Sequence, residues 1–107
     1  MVTIIKGSND PLVLEVKDID LNTIDKISVV LASYGNEKKS WTKDTIRIQD
    51  NYLILPLTEL ETLAFSRGDY ILDAKFLENG HVRFTSTIKY KVVDRDNKTV
   101  LTEEAPT

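Results

Sequence analysis

Residues 67–84 read RGDYILDAKFLENGHVRF, and this stretch decides the fold class because apolar residues recur at every second position on both sides of an Asn-Gly pair. Successive side chains of a β-strand point to opposite faces of a sheet, so this alternation predicts strands. Asn79 and Gly80 tolerate the positive φ angles that a two-residue turn requires. The stretch therefore predicts a hairpin of two antiparallel strands.

The same alternation continues along most of the chain and predicts about eight strands, at the spacing of roughly 8–12 residues that is typical of a sandwich or barrel. Two of these strands are predicted at Val2–Lys6 and, more weakly, at Lys38–Lys43. The other strands are predicted to face the core through Leu12, Leu14 and Val16; Ile27, Val29 and Leu31; Ile46 and Ile48; Leu53, Leu55 and Leu57; Tyr70, Leu72, Ala74 and Phe76; and Val82, Phe84, Ile88, Tyr90 and Val92.

The stretch LTELETLAF, residues 57–65, breaks the alternation and predicts a short helix that crosses between two sheets. Thr58 stands three residues before Glu61, which is the spacing of a capping box, where each side chain accepts a hydrogen bond from a backbone N–H group. Gly68 is expected to end the helix. The predicted inward face of the helix consists of Leu60, Leu63 and Ala64.

The tripeptide Arg67-Gly68-Asp69 allows two interpretations. In an exposed loop it could act as a cell-adhesion signal. In immunoglobulin-type sandwiches, however, a tyrosine at this corner buries its ring and returns its hydroxyl group to the backbone upstream, and Tyr70 stands in that position. We favour the corner, because short motifs match by chance often. The predicted fold is an all-β, immunoglobulin-like antiparallel sandwich of roughly 7–8 strands with one short helix near residues 59–65.

Composition excludes several classes of function. The 107 residues include no cysteine, so disulfide frameworks and thiolate metal sites are absent. The net charge is −3 and lysines are interspersed with acids, which argues against nucleic acid as a partner. The apolar runs are too short to span a membrane. We expect one sandwich domain over residues 1–97, followed by a C-terminal strand or extended tail over residues 98–107.

Candidate catalytic and metal-binding residues are few. His81 is the single histidine and lacks a nucleophile or acid near it in sequence. Asp94, Asp96 and Asn97 offer oxygen ligands but complete no calcium loop, so a polar turn is the better interpretation. We therefore expect no catalytic residue, no metal and no cofactor, while an enzyme that gathers His81 with carboxylates stays an open alternative.

A surface for association is the more specific prediction. Four apolar residues, Val30, Ile71, Leu77 and Val93, alternate with the predicted core residues and should point away from the core. Exposed apolar area usually marks an association surface. Trp41, the single tryptophan, could extend that surface or serve as a platform for sugars, although a core position is the better interpretation. Edge strands such as Val2 to Ile5 offer pairing to another chain.

The stretch from Leu57 to Asp94 resembles small structural proteins of tailed bacteriophages and prophages. The matching residues are Leu57, Thr58, Glu61, Thr62, Leu63 and Phe65, followed by Gly68, Asn79-Gly80 and the strand through Val93. The opening IIKGSNDPLVLEV, residues 4–16, is similar to their first hairpin, with Gly7 in the turn.

This resemblance implies a virion protein, made in the host cytoplasm, that lies at the tail, baseplate or head surface. It implies other virion proteins or further copies of the chain as partners, and no catalytic residues. The alternative is an adhesion or glycan-binding module that uses Trp41 or the Arg67-Gly68-Asp69 turn.

Overall fold

The computed structural model describes residues 2–85, 87–97 and 99–102. These residues form nine strands and one α-helix, with single 3₁₀ turns at Leu21–Thr23 and Lys43–Thr45. The strands are β1 Val2–Ile5, β2 Leu12–Glu15, β3 Lys26–Ser33, β4 Asn36–Thr42, β5 Arg47–Gln49, β6 Tyr52–Leu55, β7 Gly68–Glu78, β8 His81–Phe84 and β9 Ile88–Val93, and the helix is α1 Glu59–Ala64. The last of the predicted strands is thus divided into β8 and β9.

The strands form two sheets. The larger has the order β1-β9-β7-β3-β4, with β8 also paired to β7, and the smaller has the order β2-β6-β5. All neighbours are antiparallel except β1 and β9, which are parallel. Helix α1 carries the chain from β6 in the smaller sheet to β7 in the larger one.

This topology is that of an immunoglobulin sandwich. One sheet of such a sandwich holds strands A, B, E and D, and the other holds C, F and G, with C′ added in variable-type domains. Strands β2, β6 and β5 take the places of B, E and D, while β3, β4, β7 and the run from β8 to β9 take those of C, C′, F and G. The predicted all-β, immunoglobulin-like sandwich is confirmed.

The core forms where alternating residues of the two sheets face each other. The predicted inward residues of β2, β3, β6 and β7 are buried, and each large apolar side chain removed from water contributes about 1.5–3 kcal/mol. The buried apolar residues are Ile4, Leu12, Leu14, Val16, Leu21, Ile24, Ile27, Val29, Leu31, Trp41, Leu53, Leu55, Leu57, Phe65, Tyr70, Leu72, Ala74, Phe76, Tyr90 and Val92.

The predicted hairpin at Asn79-Gly80 is confirmed, but its second strand faces the other way from the prediction. The turn is a two-residue turn with φ angles of 50° and 79°, and Glu78 pairs with His81. Val82 and Phe84 were expected in the core, yet they are 55% and 60% exposed. The register explains this result, because Val82 pairs with Leu77, whose side chain points outward.

The side chains of β9 point to the sides predicted for them, because the pairing register with β7 changes between β8 and β9. Lys75 pairs with Phe84 in β8, whereas Leu72 pairs with Ile88 in β9. Three steps along β7 therefore match four steps along the opposite strand, and this one-residue difference reverses the side-chain alternation. Tyr90 and Val92 are buried as predicted, and Ile88 packs against the core.

The first predicted hairpin is wrong, because β1 and β2 belong to different sheets. The residues between them carry the chain from the larger sheet to the smaller one. Thr62 of α1 holds this crossover, since its Oγ1 accepts a hydrogen bond from the Gly7 amide at 2.9 Å and donates one to the Ser8 carbonyl at 2.8 Å. Gly7 has a φ of +90°, which favours glycine.

Helix α1 is present, but its predicted face and its predicted end are wrong. Leu60 and Ala64 are exposed, and the buried helix residues are instead Glu59 and Thr62, which bind neighbouring segments. The helix ends at Ala64, and Gly68 is the first residue of β7 with a φ of +132°. A six-residue helix has too little length to form an apolar stripe, so hydrogen bonds fix its orientation.

Strand β5 also departs from its predicted burial. Ile48 is exposed and Ile46 only packs against the margin of the core. Ile48 pairs with Leu53 and so lies on the core side, but β5 is the edge of the smaller sheet and has little structure beyond it. Residues 99–102 form no strand, and residues 103–107 of the predicted tail lie outside the described residues.

Candidate association surfaces

The Arg67-Gly68-Asp69 tripeptide leads directly into the sheet. Gly68 and Asp69 are the first residues of β7 and pair with β9. The Asp69 carbonyl also accepts a hydrogen bond from Ser33 Oγ at 2.9 Å. The tripeptide is therefore tied into the backbone ladder of the larger sheet and does not form the tip of a protruding loop.

Tyr70 forms the corner between helix and sheet. Its side chain is 1% exposed, and its hydroxyl group donates a hydrogen bond to the Ser66 carbonyl at 2.9 Å. Its ring contacts Phe65, with 5.6 Å between the ring centroids. This arrangement has the geometry of the tyrosine corner of immunoglobulin domains.

The capping box of α1 is present in the structure. Thr58 Oγ1 accepts a hydrogen bond from the Glu61 amide at 3.1 Å, and Glu61 Oε1 accepts one from the Thr58 amide at 3.0 Å. Glu61 also forms an ion pair with Lys39 of β4. Partial burial acts to raise the pKa of Glu61, but the hydrogen bonds from Lys39 and Thr58 outweigh it, so the pKa is lowered. Glu61 thus joins helix α1 to the edge of the larger sheet.

Trp41 is buried, so the core position that the sequence favoured is confirmed, and the tentative alternative of an exposed interaction residue is wrong. It is 2% exposed, and its Nε1 donates a hydrogen bond to the Pro56 carbonyl at 2.9 Å. Trp41 pairs with Val29, so the register directs its ring toward the core. A sugar platform would require an accessible ring face, and this ring is buried between the sheets.

Val30, Ile71, Leu77 and Val93 all point away from the core, on the side of the larger sheet that we call the outer face. Ile71 is 45% exposed, and the other three are half-buried. Ile71 pairs with Ala32, and Val30 lies on the diagonal next to that pair. These residues form a first apolar group near the middle of the outer face.

A second apolar group lies at the hairpin end of the outer face. Leu77 pairs with Val82, and Phe84 pairs with Lys75, whose ammonium group lies 5.4 Å from the centre of the Phe84 ring. The sequence interpretation missed Val82 and Phe84. The signal was available, because a two-residue turn at Asn79-Gly80 requires residue 77 to pair with residue 82.

Charged residues divide the outer face into rows. Asp73 and Lys75 of β7 lie between the two apolar groups. Val93 pairs with Ile5 and lies beyond Lys91, at the other end of the sheet. Val93 is therefore separated from the Val30 and Ile71 group. The outer face thus carries two separate apolar groups with charged residues between them.

Glu59 binds the C-terminal segment, a contact that the sequence did not reveal. Its buried carboxylate accepts hydrogen bonds from the Leu101 amide at 3.0 Å and from the amide and hydroxyl groups of Thr102. The hydroxyl group of Thr102 lowers the pKa of Glu59 most, with further lowering by the Leu101 amide. Residues 101 and 102 are thereby held against the first turn of α1.

The other polar candidates form local contacts. His81 is exposed beside the Asn79-Gly80 turn. Asp94 accepts a hydrogen bond from the Arg95 amide, and Asn97 accepts one from the Thr99 amide, both at 3.0 Å. Within residues 2–85, 87–97 and 99–102, no group of three or more acidic, histidine or cysteine residues could hold a metal ion. In the same ranges, no helix has the length and apolarity needed to cross a membrane.

Comparison with known proteins adds little beyond the fold. No family model matches the chain, and no curated protein matches it. The solution structure of the first Ig-like domain from human CD48 antigen is similar to it, with 15% sequence identity and a TM-score of 0.40. That similarity covers 98% of this chain and 92% of the other. At this level it carries no functional argument, and the immunoglobulin-like assignment is based on the strand order.

Proposed function

We propose that this protein is a non-enzymatic assembly module of a tailed-phage particle, which associates with copies of itself or with another virion protein through the outer face of its larger sheet. The observation that carries the proposal is the apolar pair of Leu77 in β7 and Val82 in β8, beside Phe84, with Val82 and Phe84 55% and 60% exposed. Large apolar side chains directed to solvent in this way usually mark a contact surface.

The geometry of the outer face supports association over a broad area. The first group, around Ile71, and the second group, around Val82, lie on the same side of one sheet. Asp73 and Lys75 between them can form ion pairs with a partner and fix its register. A sheet face of this kind packs against a second sheet at about 10 Å, which would bury both apolar groups together.

An enzymatic function has little support. Immunoglobulin-like sandwiches typically carry no catalytic site. The adhesion or glycan-binding alternative loses its aromatic platform, because Trp41 is buried. Its second element, the Arg67-Gly68-Asp69 tripeptide, begins a strand in the sheet. Association through strand faces is therefore the function that the described surface favours.

The particle context has separate support, which is the resemblance of residues 57–94 to small phage structural proteins. The genes adjacent to the coding sequence test it. A cluster of capsid, tail or baseplate genes is the expected result. An operon of metabolic enzymes would overturn the phage assignment and leave the association surface to be tested by itself.

Analytical ultracentrifugation over a wide concentration range tests the association. We expect the wild-type chain to self-associate, or to form a complex when mixed with the products of the adjacent genes. The variants Ile71→Lys and Val82→Lys place a charge in each apolar group and should abolish that association without loss of fold. Tyr34→Lys is the matched control, because Tyr34 is 87% exposed at the tip of the turn between β3 and β4 and belongs to neither apolar group. Equal behaviour of all three variants would contradict the proposal.

A further inference from the structure

Strand β2 has one unpaired edge. In the smaller sheet it pairs with β6, and no strand among the described residues lies on its other side. The Val16 amide donates a hydrogen bond to the Asn51 carbonyl at 2.8 Å, which shows which residues of this ladder form hydrogen-bonded pairs. Because such pairs alternate along antiparallel strands, the backbone groups of Val13 and Glu15 point away from β6.

A groove runs along this unpaired edge. Residues of β1, β8 and β9 in the larger sheet line one side of this edge. One part of the groove, of about 680 Å³, is lined by Leu14, Ile19, Arg83 and Ile88. A second part, of about 330 Å³, lies between β1 and the start of β2 and shares Ile88. The two parts share this partly buried isoleucine, and the lining of the first part is mixed, because Leu14 and Ile19 lie beside the charged residues Glu15, Lys17, Asp18 and Arg83.

We infer that this groove binds an extended peptide segment of another chain, which pairs antiparallel with β2 as a fourth strand of the smaller sheet. In immunoglobulin sandwiches this sheet has four strands, with strand A next to strand B, and β2 takes the place of strand B. The position of strand A is the groove described above. This inference concerns the groove beside β2, which shares Phe84 with the outer face, and it does not depend on association through the outer face.

The backbone groups of the edge select the kind of occupant. The amides and carbonyls of Val13 and Glu15 alternate at the spacing of a β-ladder, which an extended backbone matches. Pro11 has no amide hydrogen, and Asp18 has a φ of +63°, so the pairable edge ends at these two residues. A segment of about five residues spans this distance at roughly 3.3 Å per residue. Alternate side chains of the segment should be apolar, because one set faces Ile88 and Leu14.

Two other occupants fit less well. The edge strand of a second folded copy belongs to a whole sheet, which needs more room than a groove bounded on one side by β2 and on the other by β1, β8 and β9 offers. The chain's own residues 103–107 read EEAPT, which offers no alternating set of large apolar side chains and includes a proline without an amide hydrogen. A single extended segment, such as the terminal arm of a partner, avoids both conflicts.

Nuclear magnetic resonance titration with a synthetic peptide of alternating threonine and valine tests the inference. We expect the amide resonances of Val13 and Glu15 to shift and their hydrogen exchange to become slower. The Leu14 amide faces β6 and the Val16 amide donates to the Asn51 carbonyl just before β6, so their exchange should change little. A peptide of the same sequence that is N-methylated throughout keeps its side chains but loses its donors, and it should not bind.

A variant of the protein tests the same backbone contact by removing a donor from β2. Val13→Pro removes one amide that points to the groove, and proline is tolerated at such an edge position. We expect it to weaken peptide binding about tenfold or more, a change of about 1.4 kcal/mol. Val13→Ala keeps the amide and should bind as the wild type does. The inference would be overturned if the N-methylated peptide bound as tightly as the unmethylated one, or if the amide resonances that shift did not include Val13 and Glu15. Both results can be obtained with the wild-type protein, even if Val13→Pro fails to fold.

Discussion

Replacement of Tyr70 by phenylalanine isolates the hydrogen bond of the corner. The change removes only the hydroxyl group that donates to the Ser66 carbonyl at 2.9 Å, and the ring can keep its contact with Phe65. A hydrogen bond of this kind contributes about 0.5–1.5 kcal/mol to the free energy of unfolding. For a domain of this size, a loss of about 1 kcal/mol lowers the melting temperature by roughly 4–8 °C.

Replacement of Tyr70 by alanine also removes the buried ring. Truncation of a large aromatic residue in a core costs about 3–5 kcal/mol, because a cavity adds to the lost transfer free energy. Most small domains are stable by about 5–15 kcal/mol, so this variant should be close to unfolding. Asp69→Ala should change stability by no more than about 0.5 kcal/mol, because that side chain is exposed.

Urea denaturation followed by circular dichroism measures these differences. Tyr34→Phe is the matched control, since it removes a hydroxyl group from a residue that is 87% exposed. We expect Tyr34→Phe to leave the denaturation midpoint unchanged and Tyr70→Phe to lower it. If the two phenylalanine variants unfolded at the same urea concentration, the corner would not stabilise the fold and the argument from its geometry would fail.

Three further predictions concern buried and capping contacts. Trp41→Phe removes the hydrogen bond to the Pro56 carbonyl and should lower the free energy of unfolding by about 1–3 kcal/mol, measured by urea denaturation. The fluorescence emission of the wild-type tryptophan should be blue-shifted, and emission typical of a tryptophan in water would contradict its burial. Thr58→Ala should lower the free energy of unfolding by about 1 kcal/mol, and Thr58→Ser should lower it much less because serine keeps the capping hydroxyl group. Equal losses for the two variants would contradict the role of Thr58 as the helix cap. The pKa of Glu61 is lowered on folding. Its contribution to the free energy of unfolding is therefore present above the pKa of the unfolded state and is lost as pH falls through the pKa of the folded state. The stability difference between wild type and Glu61→Gln should therefore shrink in acid, and a difference independent of pH would refute this.

Alternation predicted the buried faces of the long strands because these strands have a sheet opposite them. Val29 and Leu31 in β3 and Leu72 in β7 face the smaller sheet and are fully buried. The same pattern failed for Val82, because it pairs with Leu77 and therefore points to the outward side of the larger sheet. Alternation identifies which residues share a face, but the pairing register decides which face meets the core.

The predictions of a first hairpin and of the inward face of α1 were wrong for a different reason. A glycine and a proline between two strands indicate a reversal of direction, but they do not tell whether the second strand pairs with the first. Here Thr62 binds Gly7 and Ser8, a contact that joins residues more than 50 positions apart. Glu59 likewise binds Leu101 and Thr102. Such contacts depend on the folded arrangement and leave no local pattern in the sequence.

The candidate surface was predicted in part. The outward direction of Ile71 and Leu77 follows from alternation, whereas Val82 and Phe84 join them because of the hairpin register. The groove beside β2 could not be predicted, because it exists where strands of one sheet extend past the edge of the other.

The most direct test of association is the exposure of the outer face to a soluble paramagnetic probe, measured by nuclear magnetic resonance at low and high protein concentration, or with and without an adjacent-gene product. We predict that the side-chain signals of Val30, Ile71, Leu77 and Val82 become protected as the complex forms, while those of Tyr34 stay accessible. Unchanged accessibility of these four residues in a complex, or in a chain that stays monomeric with every candidate partner, would contradict the account.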